Sequence, residues 1–374
     1  MIDDDAAYRA FASRDARFDG RVFVGVRTTG IYCRPICPAR TPRRENVGFY
    51  PSAAAAQEAG FRPCLRCRPE SSPDLGAWLG TSATVSRALA LIEGGALDEG
   101  DVDALAARLG VGERQLRRLF RQHLGASPVT VAQTRRVLLA KQLLHETRLP
   151  MAEVALAAGF GSIRRFNETF QALFDRPPGA LRRAGTPESS AIEGIALSLA
   201  YRPPYDWAAM LAAIGRAGDP AESVSDGLYR RVVRFDGVEG AIVVAPDRDR
   251  LRLNVSLPRL TALTPLLARV RRRLDLAADP LAIDTHLARD PLLAPLVAAR
   301  PGLRVPGGWE RADEAAADAI NPSDPALLAA IGPGVTPADC VRHARLWSPW
   351  GAYAVRHLID RHAIEDHPAE GAGS

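Results

Sequence analysis

Four of the five cysteines form two close pairs, Cys33-Arg-Pro-Ile-Cys37 and Cys64-Leu-Arg-Cys67, separated by 26 residues. Each short loop presents two sulfurs, and the long loop brings the pairs together, which is what a tetrahedral metal needs. Thiolates with no histidine or carboxylate among them favour zinc, Zn2+. The spacing predicts a small metal-stapled domain and leaves open whether the site is closed and structural or reactive. The fifth, Cys340, stands alone and reads as an ordinary buried or half-buried thiol. Two pairs and a singleton argue against a secreted disulfide framework.

At 374 residues the chain has room for two or three domains. The opening Met1-Ile-Asp-Asp-Asp lacks the basic and apolar regions of a secretory signal, and apolar stretches such as 291–299 are too short to cross a bilayer. A cytoplasmic protein with no membrane partner is expected. The formal charge of +5 is unevenly spread: residues 1–80 carry +3, residues 81–186 carry +5 and the remainder −3. A polyanion partner is expected for the first half. Lys141 is the single lysine; every other basic residue apart from histidine is arginine, the forked donor suited to phosphate.

Turn-rich breaks at 71–76, 185–190 and 301–308 divide the chain. Between the first two, residues 102–109 and 113–123 read as helices around Gly110-Val-Gly112, and 151–158 and 162–174 as helices around Gly159-Phe-Gly161. Residues 129–144 read as a long helix joining these two helix-turn-helix units. After residue 190 the pattern changes to a strand at 195–201, a helix at 205–215, strands at 228–235, 240–245 and 251–256, and a helix at 260–274. That βαβββα order predicts an α+β domain, followed by helical or irregular chain. The fold class is thus multidomain α+β: a four-cysteine domain at 1–76, an all-α domain at 81–185, the βαβββα domain at 191–276 and a helical segment at 277–374.

The residues around the cysteines, Thr28-Thr-Gly-Ile-Tyr-Cys-Arg-Pro-Ile-Cys-Pro-Ala-Arg-Thr-Pro-Arg-Arg-Glu-Asn46 and Ala59-Gly-Phe-Arg-Pro-Cys-Leu-Arg-Cys-Arg-Pro69, closely resemble the Ada metal-binding domain. The resemblance implies zinc held by Cys33, Cys37, Cys64 and Cys67, with Cys33 accepting a methyl group from a DNA methylphosphotriester. Ile36 stands where a small residue is more usual. The chemistry is reasonable: a metal keeps the sulfur as thiolate, the thiolate is the nucleophile, and the leaving group is a stabilised phosphodiester anion. Four thiolates on a divalent cation leave a net negative site, and methylation removes one unit of that charge, so affinity for DNA should rise. The modified cysteine is not regenerated, so each molecule turns over once. Arg34, Arg43, Arg44, Arg62 and Arg66, with Arg40 and Arg68, are expected to position phosphates.

Residues 84–183, including Leu149-Pro-Met-Ala-Glu-Val-Ala-Leu-Ala-Ala-Gly-Phe-Gly-Ser162 and Arg165-Phe-Asn-Glu-Thr-Phe170, resemble the AraC-type DNA-binding domain. Two recognition helices entering successive major grooves of double-stranded DNA are implied. Gln115, Arg118 and Arg121 on the first and Arg164, Arg165 and Asn167 on the second are the candidate contacts. Phe120, Phe160, Phe166 and Phe170 read as core. RNA polymerase is the expected protein partner, and a monomer the expected state.

Leu197-Ser-Leu-Ala-Tyr-Arg-Pro-Pro-Tyr-Asp-Trp-Ala-Ala-Met-Leu211, Ala298-Ala-Arg-Pro-Gly-Leu-Arg-Val-Pro-Gly307 and Trp347-Ser-Pro-Trp-Gly-Ala-Tyr-Ala-Val-Arg-His-Leu358 resemble AlkA-type 3-methyladenine DNA glycosylases. On that resemblance Asp324 takes the catalytic carboxylate's place. Nine residues lie between Gly308 and Asp318, where the family carries a stretch of roughly a hundred, about a domain's worth. A flipped base needs a shaped pocket, so the C-terminal half is expected to be an inactive glycosylase remnant whose segment beyond Arg300 packs poorly. His343 and His357 are expected on helix surfaces. The alternatives are a DNA-binding regulator with a purely structural zinc site, and an active glycosylase using Asp324. No Pro-Cys-His-Arg motif is present, so alkylguanine transfer is not expected.

Overall fold

The structure, a computed structural model, describes residues 3–73, 83–182, 194–235, 237–310 and 320–365. The expected linker at 185–190, the domain boundaries drawn at 76, 81, 185 and 191, and Asp318 lie outside them, as does part of the break at 71–76. Compactness divides the chain into two bodies: Met1–Tyr201 with Pro220–Arg271, and Arg202–Asp219 with Arg272–Ser374.

The first body begins with α1 (Asp4–Ala12), capped by Asp3, whose carboxylate accepts from the amides of Asp5 and Ala6. Four short strands follow, β1 (Phe23–Val26), β2 (Ile31–Cys33), β3 (Val47–Tyr50) and β4 (Arg62–Pro63), with α2 (Ala53–Glu58) between the last two. Their order is β3-β1-β2-β4; β1 runs antiparallel to β2 and β3, and β2 runs parallel to β4. Every residue of β1 is buried. Gly25 is glycine because a Cβ there would come within 2.8 Å of the Tyr50 ring and 2.9 Å of the Phe61 ring.

Six helices come next: α3 (Ala83–Glu93), α4 (Val102–Arg108), α5 (Glu113–Leu124), α6 (Pro128–Glu146), α7 (Met151–Ala157) and α8 (Ile163–Phe174). Both expected helix-turn-helix pairs are present, with α6 between them. The second helix of each pair buries residues at one spacing, Leu116, Phe120 and Leu124 in α5 and Phe166, Phe170 and Phe174 in α8. That i, i+4, i+8 stripe leaves the charged side chains facing outward. Each helix ends on a left-handed residue, Gly125 or Asp175. Phe120, Phe160, Phe166 and Phe170 are all buried, as their spacing predicts.

The last part of this body is a sheet of β5 (Ile195–Ala200), β6 (Glu222–Ser225), β7 (Leu228–Phe235), β8 (Val238–Asp247) and β9 (Arg250–Ser256), ordered β5-β9-β8-β7-β6 and antiparallel throughout. The chain makes α9 (Trp207–Ala217) between β5 and β6 and α10 (Leu263–Arg273) after β9. Alternation puts Leu251, Leu253 and Val255 of β9 on the buried face. The sheet has one more strand than the sequence pattern suggests. Strand β6, Glu-Ser-Val-Ser, is polar and lies at the edge, so it carries no hydrophobic signature.

The second body holds α9, α11 (Pro280–Leu287), α12 (Ala294–Ala299), α13 (Pro325–Ile331), α14 (Pro337–Trp347) and α15 (Gly351–Glu365). Where it is described, the chain beyond Arg300 does not pack poorly: Leu327, Ala330, Cys340, Trp347, Tyr353, Ala354 and Leu358 are buried. The Trp347 indole donates to Asp290 at 2.7 Å, and Asp360 is paired with Arg216, Arg300 and Arg356. His357 is also inside, against the expectation of a surface residue, because it shares the α15 face of Tyr353, Ala354 and Leu358. Burial, with Arg300 and Arg356 nearby, pushes its imidazole down to about 4.

Candidate metal centre

Strand pairing brings the two cysteine pairs together. Cys33 ends β2 and Cys64 follows β4; the parallel register sets Ile31 opposite Arg62 and Tyr32 opposite Pro63, and the Cys64 amide donates to the Tyr32 carbonyl at 3.0 Å. A turn closed by the Cys37 amide on the Arg34 carbonyl at 3.1 Å returns Cys37 to the same place. Cys64–Cys67 forms a second tight loop, in which the amides of Arg66 and Cys67 donate to Cys64 Sγ at 3.3 and 3.5 Å. All four Sγ atoms lie within 4.8 Å of one another, and all four residues are buried.

Zinc–thiolate bonds of about 2.3 Å make a tetrahedron with edges of about 3.8 Å. The cluster is compact enough for that, built of soft donors, and all four cysteines are free. It fits zinc. The sulfurs are also unequal. Cys64 Sγ accepts two amides and Cys67 Sγ accepts the Arg34 amide at 3.3 Å. Among the described residues no backbone amide donates to Cys33 Sγ. Hydrogen bonding from Cys33 pulls Cys64 far below the usual thiol range, while bonding to Cys37 and the other two sulfurs pushes Cys33 well above it. Held together as thiolates, four sulfurs this close need a cation among them.

The arginines expected at a phosphate backbone separate into two kinds. Arg43, Arg40 and Arg66 are exposed, and Arg62 and Arg44 are half-buried, Arg44 beside Asp4 and Asp5 and over the rings of Tyr8 and Phe49. Arg34 is different: it is only 5% exposed, with its guanidinium fork on Asp19 and its Nη1 on the Cys67 carbonyl and Ser71 Oγ. Its place is inside the domain, bracing the ligand loop. Its charge reaches Asp19 across 15 residues, a pairing no local spacing announces. Arg68 is likewise engaged, with Glu70 and Glu146.

On the helix-turn-helix pairs, Gln115, Arg118 and Arg121 of α5 and Arg164, Arg165 and Asn167 of α8 are all exposed. Two carry internal partners: Arg121 is paired with Glu58 of α2, and Arg164 with Glu168 one turn on. Asp324 belongs to the second body and caps α13, accepting the Ala326 amide at 2.9 Å and the Leu327 amide at 3.4 Å. Sequence reasoning missed a buried group beside the ligands. Lys141 of α6 donates to the Cys64 carbonyl at 2.7 Å and to Glu70 at 2.6 Å. The available signal was its place on the stripe of Val137, Ala140 and Leu144.

Comparison with known proteins places these parts in a family. The models for the metal binding domain of Ada, a helix-turn-helix domain and the AlkA N-terminal domain match residues 6–70, 105–184 and 196–310. A probable bifunctional transcriptional activator/DNA repair enzyme AlkA of Mycobacterium tuberculosis is 40% identical over 374 residues, spanning 98% of this chain and 72% of that protein. The bifunctional transcriptional activator/DNA repair enzyme Ada of Escherichia coli is 40% identical over 129 residues, 34% of each chain. DNA-3-methyladenine glycosylase 2 of Escherichia coli is 35% identical over 113 residues, 29% of this chain and 38% of that enzyme. With its Ada-type zinc centre, paired helix-turn-helix units and AlkA-type sheet, the chain belongs to the family of bifunctional transcriptional activator/DNA repair proteins represented by the mycobacterial AlkA protein.

Proposed function

We propose that the protein repairs and senses DNA methylphosphotriesters, with Cys33 as methyl acceptor, and that methylation strengthens its binding to promoter DNA. The observation carrying this reading is the inequality of the four sulfurs. A thiolate relieved of amide donors keeps more electron density, and Cys33 takes none of the three amides that Cys64 and Cys67 accept. Zinc, when bound, keeps the sulfurs deprotonated at neutral pH. Cys33 Sγ attacks the methyl carbon opposite its C–O bond; the S–C bond forms as the C–O bond breaks, and the electron pair leaves on the phosphate oxygen. No proton moves, so no general acid is required. The product carries one negative charge less beside the DNA backbone.

The exposed side chains of α5 and α8 are the proposed readers of two successive major grooves, with Arg40, Arg43, Arg44, Arg62 and Arg66 on phosphates around the damaged one. Arg34 acts from inside. Two reading helices in one chain leave no need for a second copy, which favours a monomer that recruits RNA polymerase in the cytoplasm. None of the helices among the described residues is long and apolar enough to cross a membrane. Asp324 serves as a helix cap, and the glycosylase resemblance covers 38% of that enzyme, so we read the C-terminal half as without base excision. Release of 3-methyladenine that disappears in Asp324→Asn would overturn that part.

The test is methyl transfer from methylphosphotriester DNA to the zinc-loaded full chain, followed by peptide mapping. One methyl on Cys33, and none taken up by Cys33→Ala, is expected. A zinc-loaded wild type that takes no methyl reduces the centre to a structural staple.

A further inference from the structure

The buried ammonium of Lys141 has no part in the chemistry above. It lies on the apolar stripe of α6, its side chain wholly buried, as is that of Glu70. A buried ion pair is often no more stabilising than well-packed apolar residues, so packing alone does not call for one here. What Lys141 holds is specific: the backbone carbonyl of the ligand Cys64 at 2.7 Å and Glu70 Oε2 at 2.6 Å.

The network continues. Glu70 Oε1 lies 3.3 Å from His145 Nδ1 and accepts from Arg68 Nε at 3.2 Å. Arg68 Nη2 reaches Glu146 Oε1 at 2.6 Å. The other Glu146 oxygen accepts from Gln142 at 3.0 Å and from the Ser198 amide of β5 at 2.9 Å. Lys141, Gln142, His145 and Glu146 all belong to the last two turns of α6, the helix that joins the two helix-turn-helix pairs. The ligand loop is therefore bonded directly to the element that sets the spacing of both recognition helices.

We propose that Lys141 is a positioning residue that ties the Cys64–Cys67 ligand loop to α6, coupling the chemical state of the sulfur centre to DNA reading. The inference rests on the function proposed above. It assigns no proton transfer to Lys141; a fixed charge gripping a carbonyl makes the link.

The test compares full-length wild type, Lys141→Met and Lys141→Arg, all zinc-loaded and checked by zinc content and circular dichroism. Each is methylated with methylphosphotriester DNA and titrated, before and after, with a duplex selected from random-sequence DNA by the methylated wild type. Lys141→Met should still take up the methyl, but its gain in affinity on methylation should be about 3- to 10-fold smaller than that of wild type. Lys141→Arg, which can still bond Glu70 and the carbonyl, should recover most of the gain. An undiminished gain in Lys141→Met, or no recovery in Lys141→Arg, overturns the coupling. If Lys141→Met does not fold, Lys141→Gln, whose shorter amide gives up the charged grip on the Cys64 carbonyl while staying polar, is read in the same way. A wild type that takes no methyl removes the functional reading itself, a different failure from an undiminished gain in the variant.

Discussion

The two helix-turn-helix pairs share a plan but are braced by different neighbours. The first leans on the zinc domain: Glu58 pairs with Arg121 and accepts the Ser127 amide at 3.0 Å, and Ser52 donates to the Leu124 carbonyl at 2.7 Å. The second leans on the segment after β9: Thr264 donates to the Ala157 carbonyl at 3.0 Å and accepts from Arg135 at 3.2 Å. Their interiors differ as well. The α5 stripe has one ring between two leucines, whereas Phe160, Phe166, Phe170 and Phe174 stack in a chain with centroids 4.8 to 5.4 Å apart along the successive contacts. One reading unit is thus braced by the zinc domain, and the other by the start of α10.

The largest effect should come from the second interior. Phe170→Ala removes the ring at the middle of the stack and should cost about 3–5 kcal/mol in unfolding free energy. Phe120→Ala, with a single ring to lose, should fall at the lower end of that range. Chemical denaturation of the full chain compares them; equal costs would erase the distinction between the interiors.

Next come the reading surfaces. Arg118→Ala and Arg165→Ala should each weaken operator binding by about 1–3 kcal/mol if they reach bases. Electrophoretic titration against operator variants would tell base contacts from phosphate contacts, since a phosphate contact weakens all sequences alike. Thr264→Val, which removes a hydroxyl from between Ala157 and Arg135, should cost about 1 kcal/mol. Hydrogen exchange should show α7 and α8 loosening while α4 and α5 keep their protection. Uniform loosening would make the bracing a single body.

The smallest effect is the most diagnostic of the first brace. Glu58→Gln breaks a partly exposed pair worth about 0–1 kcal/mol to stability. It also frees Arg121 from a competing carboxylate, so unmethylated protein should bind DNA slightly more tightly. Unchanged or weaker binding would show that Arg121 does not meet DNA.

Much of this was legible in the letters. Cysteine spacing and the Gly-centred turns of the helix-turn-helix pairs act over a few residues, where sequence pattern and structure coincide. Strands as short as Arg62–Pro63, and the polar edge strand Glu222–Ser225, carry too few side chains to show a period. Buried charge was the larger loss. Arg34, Lys141 and His357 look like surface residues by type; distant partners, Asp19 for Arg34 and Glu70 for Lys141, make two of the burials tolerable, and neutrality makes the third. The signal for Lys141 and His357 was helical phase: both fall on apolar faces, at positions where composition alone would not place a polar side chain.

The central claim is that one methyl on Cys33 converts a repair event into tighter promoter binding. It is tested most directly by titrating a single zinc-loaded preparation with operator duplex before and after stoichiometric methylation, alongside Cys33→Ala treated in the same way. Tighter binding after methylation in the wild type, and none in the variant, is the predicted result. Superimposable curves for a preparation shown to carry the methyl on Cys33 would contradict it.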